Sequence, residues 1–112
     1  MLLVKYFQGS NGKEPFTDWL AGLRDIKGRA IIRTRIDRLR LGDPGRHRPV
    51  GEGVIELKID FGPGYRVYYG HIGRTVVLLL CGGDKGSQDR DIKRAKKYFR
   101  EYRSEHDEKD KK

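Results

Sequence analysis

Cysteine is almost absent from this sequence. Cys81 stands alone among 112 residues, so no internal disulfide can form and no cysteine cluster can hold a metal. Long apolar runs are also missing. The longest, Val76 to Cys81, is a strand in length and far short of the ~20 residues of a membrane span. The opening MLLVKYFQ has one Lys and no long apolar stretch followed by a small-residue cleavage site, so no signal peptide is expected. The three histidines, at 47, 71 and 106, are scattered and form no metal-ligand spacing with carboxylates. No internal repeat and no linker composition occurs. These absences predict one cytoplasmic domain with no membrane contact, no cofactor and no metal.

Positive charge is in excess. Twenty-five Lys and Arg face 16 Asp and Glu, a formal net charge of +9. That balance favours a polyanionic partner such as RNA, DNA, the ribosome or a strongly acidic protein.

Along the chain, Leu2 to Phe7 reads as a strand and "GSNGK" as a turn. Pro15 after Glu14 starts a helix whose Phe16, Trp19, Leu20 and Leu23 fall at i, i+3, i+4 and i+7. A second helix runs from about Ile26 to Leu41, with Ile32, Ile36 and Leu39 inward. Residues 42 to 53, "GDPGRHRPVGEG", hold too many Gly and Pro for regular structure and are expected to be a loop. Ile55, Leu57 and Ile59 alternate with polar residues, as do Tyr65, Val67 and Tyr69 after the turn "FGPG". Val76 to Cys81 is apolar on both faces, as in a central strand. Ser87 is the expected N-cap of a last helix, with Ile92, Ala95, Tyr98, Phe99 and Tyr102 on its apolar side. The predicted class is α+β, order βααβββα, with a mainly antiparallel sheet, over residues 1–102. Residues 103–112 are nearly all charged and are expected to be a disordered tail.

The hairpin contains a local conflict. Keeping Ile55, Leu57 and Ile59 on the same face as Tyr65, Val67 and Tyr69 pairs Ile59 with Tyr65 and Leu57 with Val67. Lys58 then lies opposite Arg66, and Glu56 opposite Tyr68, on the other and supposedly solvated face. Like charges directly across a strand pair destabilise it. Either the side chains splay apart in water, or a phosphate sits between them and relieves the repulsion.

The segments "EPFTDWL", "PVGEGVIELKIDFGPGYRVYYG" and "VVLLLCGGDKGSQDRDIKRAKKY" resemble the RelE/ParE toxin superfamily, nearest its HigB-like, phage-derived addiction module killer branch. The resemblance covers residues 1 to about 102. It implies the toxin of a bacterial type II toxin–antitoxin system, held inactive by a small antitoxin with a helix-turn-helix or ribbon-helix-helix DNA-binding domain. RelE-like and HigB-like members cleave mRNA on the ribosome, and ParE-like members inhibit DNA gyrase. By position, Lys58 matches a basic residue of the site strand, Arg66 the site arginine of "GYR", and Lys85 a basic residue after the last strand. Many RelE-like members carry Tyr or His at the start of the last helix. This chain has "QDRDI" there, which brings Asp91 or a neighbour to that place.

Metal-independent RNA cleavage needs deprotonation of a 2′-OH, charge stabilisation on the phosphorane and protonation of the departing 5′-oxygen. Arg66 suits stabilisation, with its planar fork on phosphate oxygens. Lys58, next to that fixed charge, is the candidate base. Lys85, on a glycine-flanked loop, can stabilise or protonate the leaving oxygen. Tyr68 either stacks on a base and positions the 2′-OH or packs across from Glu56. Asp91 is either a base or a first-turn structural carboxylate. Arg33, Arg35, Arg38, Arg40, Arg46 and Arg48 form a basic region that either contacts ribosomal RNA backbone or is a solvated face. A non-catalytic basic binding module is the remaining alternative.

Overall fold

The computed structural model describes residues 1–110, with the backbone course alone for 107–110. The order is β1 (Leu3–Tyr6), α1 (Pro15–Gly22), α2 (Ile26–Arg40), β2 (His47–Gly51), β3 (Val54–Ile59), β4 (Tyr65–Ile72), β5 (Val76–Gly83) and α3 (Gln88–Asp110), with a 3-10 turn at Lys85–Ser87. The five strands form one sheet in the order β1-β5-β4-β3-β2. Only β1 runs parallel to its neighbour β5; the other pairs are antiparallel. The class is therefore α+β with a mixed, mostly antiparallel sheet.

Residues 42–53 correct the expected loop. His47, Arg48 and Pro49 pair with Leu57, Glu56 and Ile55, so β2 is a fourth strand of the antiparallel series. It is an edge strand, where the missing Pro49 N–H leaves no inner ladder bond unmade. The turn into β3 is tight, with positive φ at Gly51, Glu52 and Gly53.

Each face of the sheet buries a different set of helices. On one side, Phe16 of α1 and Ile32, Ile36 and Leu39 of α2 pack on Leu57, Ile59, Tyr65, Val67, Tyr69, Val77 and Leu79. On the other side, Ala95 and Phe99 of α3 pack on Val54, Tyr68, Leu78, Leu80 and Cys81. β5 is central and buried on both faces, as its unbroken apolar run implied. The face carrying Lys58 and Arg66, expected to be solvated, is in fact covered along most of its length by α3. Three amphipathic helices need three apolar docking surfaces, and two of them already fill the first face.

Local signals explain the helix ends. Asp25 caps α2 by accepting from the Gly28 N–H at 2.9 Å, and also accepts from the Tyr65 hydroxyl at 2.8 Å. That second bond ties the start of α2 to the β3–β4 turn. Ser87, the expected cap, stands immediately before α3, and a further turn precedes the helix. Asp84 accepts from the Gly86 and Ser87 N–H groups and opens the 3-10 turn that leads into α3. α3 also continues through the charged segment expected to be disordered, as far as Asp110. Its Arg103 stacks over Phe99 and donates to the Glu52 carbonyl, so contact with the body extends past residue 102. Residues 111 and 112, also part of the predicted tail, lie outside the described residues.

Candidate functional site

The β3–β4 register is the one deduced from alternation: Ile59 faces Tyr65, Lys58 faces Arg66, Leu57 faces Val67 and Glu56 faces Tyr68. The Lys58 N–H donates to the Arg46 carbonyl, and the Lys58 carbonyl accepts from Arg35 Nη1 at 2.6 Å. Both backbone groups of Lys58 thus point away from β4. Lys58 and Arg66 therefore form a non-hydrogen-bonded pair, the kind in which opposed side chains lie closest.

Their environments differ. Lys58 is half-buried, and its ammonium has no ion-pair or hydrogen-bond partner among the described residues. Arg66 is only 8% exposed. Its Nη1 donates to the Gly64 carbonyl at 2.6 Å, and its Nε is buried without a hydrogen bond, 3.9 Å from Glu56 Oε2. Nη2 has no protein partner among the described residues.

Lys85 reaches the same place by another route. Gly64 has φ +80°, and a Cβ there would stand 3.0 Å from Arg66 Nη1 and 3.5 Å from Lys85 Cβ. The bare glycine backbone is what lets Arg66 and Lys85 close in on either side of it. β5 contributes a bulge between the Tyr68–Cys81 and Tyr69–Leu79 pairs. The extra residue reverses the alternation, so that Gly83 turns to the α3 face opposite Arg66. A Cβ on Gly83 would collide with Asp91 Oδ2 at 1.8 Å. Lys58, Arg66 and Lys85 thus gather where α3 begins and its cover of the sheet ends.

The other two candidates belong to the support of this site. Tyr68 is fully buried beneath α3 and donates to Glu56 Oε2 at 3.0 Å. It cannot stack on a base, and packing across from Glu56 is the arrangement present. Burial, followed by the Glu56 charge, pushes its phenol far above the usual range. Asp91 is 1% exposed, accepts from the Ser87 hydroxyl and pairs with Arg94 at 3.2 Å. That is a first-turn carboxylate fixed to its own helix.

Sequence reasoning placed Glu56 only across from Tyr68, yet it organises the region. Its carboxylate is fully buried and accepts from Arg48 Nε at 2.8 Å, Gln88 Nε2 at 2.9 Å and the Tyr68 hydroxyl. Burial alone would raise its pKa; the bonds from Arg48, Gln88 and Tyr68 outweigh burial and hold it below the usual carboxylate value. The signal for it was available: a strand apolar on both faces, β5, requires that the Glu56 face be covered too.

Four of the six arginines assigned to RNA contact are occupied within the chain. Arg35 braces α2 to the Lys58, Pro44 and Arg46 carbonyls. Arg38 pairs with Asp43, Arg46 with Asp60, and Arg48 with Glu56. Arg33 is exposed, and Arg40 is half-buried with an unbonded Nε; both line a groove between α1 and α2.

No family model matches the chain. Over 81 residues it is 48% identical to an uncharacterized protein of Haemophilus influenzae, an alignment covering 72% of this chain and 82% of that protein. The chain belongs to the same family as that protein. Among the described residues, no group of three or more His, Cys, Asp or Glu is placed to hold a metal ion. Likewise, no helix among them is long and apolar enough to cross a membrane.

Proposed function

We propose that the chain is a RelE/ParE-type toxin of the HigB-like branch, cleaving mRNA on the ribosome in the cytoplasm without a metal or cofactor and restrained by a small DNA-binding antitoxin. The observation that carries the reading is the Lys58–Arg66 pair, closely opposed and with Lys85 brought beside Arg66 across Gly64. Such a cluster of cations with few protein partners is costly without an anion, and a phosphodiester supplies one. In the proposed reaction the Lys58 amine takes the 2′-OH proton. The 2′-oxygen then attacks phosphorus, and the Arg66 guanidinium stabilises charge on the phosphorane oxygens. Lys85 gives a proton to the departing 5′-oxygen, leaving a 2′,3′-cyclic phosphate and a 5′-hydroxyl. Glu56, Tyr68 and Gln88 act through the others, by fixing the start of α3 against β3 and β4. The RelE-like arrangement is part of the same proposal, with β2 extending the sheet at its edge.

The test is cleavage of a ribosome-bound message. Arg66→Ala is expected to lower the rate ~100–1000-fold, the usual effect of removing one charge-stabilising contact. Circular dichroism must show that the variant is folded, because Arg66 is largely buried. Unchanged cleavage would remove the hairpin from the mechanism. The second reading is gyrase inhibition of ParE type, favoured by an α3 that begins with Gln88 and Asp89 where many nucleases of the superfamily place Tyr or His. Inhibited supercoiling by an unmutated chain that cuts no message would decide for it.

A further inference from the structure

Three cations without a protein partner among the described residues share one face of α3, away from the arginines that charge in the sequence singles out. On α3, Arg90, Lys93 and Lys97 stand at i, i+3 and i+7, all exposed. At 100° per residue they span roughly 60° of the helix circumference, directly away from Ala95 and Phe99. None has an ion-pair or hydrogen-bond partner among the described residues, whereas Arg94, Arg100 and Arg103 on the same helix are all engaged. The nearest acids on that side, Asp89 and Glu101, lie one residue before the stripe and four residues after it, and neither forms an ion pair with it. At its start the stripe is continuous with the candidate site, because Arg90 and Lys85 line the same hollow of about 340 Å³.

We infer that Arg90, Lys93 and Lys97 form a track for the phosphodiester backbone of single-stranded RNA, leading along α3 to the Lys58–Arg66–Lys85 site. The occupant follows from what surrounds the stripe. A protein partner needs apolar anchors at the centre of its interface. Among the described residues, the large exposed apolar side chains are Met1, Leu3, Tyr6, Ile26 and Leu41, on β1, at the ends of α2 and at the chain start; none of them is on α3. An evenly spaced row of cations without apolar residues fits a repeating phosphate, which needs charge alone. The inference rests on the RNA-directed reading of the site, but its test does not depend on cleavage.

The probe is a labelled single-stranded RNA with every 2′-OH methylated, so that it binds uncut, titrated between 0.1 and 1 M KCl. Three phosphate contacts on a single strand change the slope of log K against log salt by about 0.7 each. Arg90→Gln/Lys93→Gln/Lys97→Gln is therefore expected to flatten the slope by about 2 and to weaken binding about 100-fold at the low-salt end. Gln has nearly the helix propensity of Lys and Arg, so α3 should persist. Lys5→Gln/Lys13→Gln/Arg74→Gln removes the same charge at exposed positions elsewhere and is expected to change the slope far less. Equal losses from the two triples would overturn the track and leave only net charge. An unmutated chain that binds polyglutamate through the stripe but binds no RNA would overturn it in favour of an acidic protein. Failure of the nuclease reading looks different: stripe-dependent RNA binding with no cleavage of any message.

Discussion

Removing the Glu56 carboxylate should destabilise the protein more than any other single polar change near the site. Glu56→Ala strands the fully buried Tyr68 hydroxyl, frees the Gln88 amide, and leaves the buried Arg66 guanidinium without its nearest opposite charge. Truncating one partner of a buried charge cluster costs about 3–5 kcal/mol, a large share of the 5–15 kcal/mol typical of a domain. Tyr68→Phe removes a single hydrogen bond to a charged acceptor, about 1.5–3 kcal/mol. Arg48→Ala should cost at most about 1 kcal/mol, because the Arg48 side chain is 51% exposed and water replaces it. The assay is equilibrium urea unfolding. With m of about 1–3 kcal/mol/M for small proteins, Glu56→Ala should lower the midpoint on the order of 1–5 M. Glu56→Gln, which keeps the shape and one acceptor, should fall between Ala and wild type. The double variant with Tyr68→Phe should lose less than the sum of the two single changes, by about 1 kcal/mol or more. A Glu56→Ala cost below 1 kcal/mol, or strict additivity with Tyr68→Phe, would refute the carboxylate as the organiser of this face.

Acid should act through the same residue. Its folded pKa lies below the ordinary 4.5, so its contribution is fully present above that pH and is lost as pH falls through the folded value. Urea midpoints measured from pH 6 down to 2 should drop in wild type and drop less in Glu56→Gln; parallel curves would show that other carboxylates dominate. Burial pushes the Cys81 thiol up to about 12, and the side chain is fully enclosed. A thiol reagent at pH 8 should therefore label Cys81 only at the rate of unfolding, and labelling as fast as in urea would contradict the packing under α3. Gly64→Ala places a methyl group 3.0 Å from Arg66 Nη1 at φ +80°. It should cost about 1–2 kcal/mol of stability and reduce message cleavage about as far as Lys85→Ala does. Full activity in a folded Gly64→Ala would show that the spacing of Arg66 and Lys85 does not matter.

The hairpin was legible because alternation leaves one register that buries both apolar sets, and that register is the one observed. α1 and α2 were legible from stripes at helical spacing and, for α1, a Pro at the start. β2 was hidden because an edge strand tolerates Pro49, and Gly51 belongs to the turn that makes the strand possible. The bulge at Leu80 was hidden too. An apolar run reads the same with or without an extra residue, yet the bulge decides that Gly83 and not Gly82 lies opposite Arg66 on the α3 face. The arginines show a different limit. Charge counts do not distinguish Arg35, which braces three carbonyls, from Arg90, which has no partner among the described residues, because pairing depends on which acids and carbonyls folding brings near.

Glu56 also alters how the opposed cations should be understood. A buried carboxylate could neutralise Arg66 and make the Lys58–Arg66 pair an ordinary structural compromise. The geometry makes that neutralisation partial. The Glu56 oxygens are already taken by Arg48, Gln88 and Tyr68, while Arg66 Nε stays at 3.9 Å and unbonded. Arg66 instead spends Nη1 on the Gly64 carbonyl, a neutral acceptor. Its charge is steadied in position and only partly offset by Glu56 at 3.9 Å, while Lys58 across the strand stands opposite another cation. An anion arriving between them would meet an Arg66 guanidinium already oriented by the Gly64 carbonyl, with little reorganisation of that donor required, which is the condition under which such contacts contribute most to catalysis.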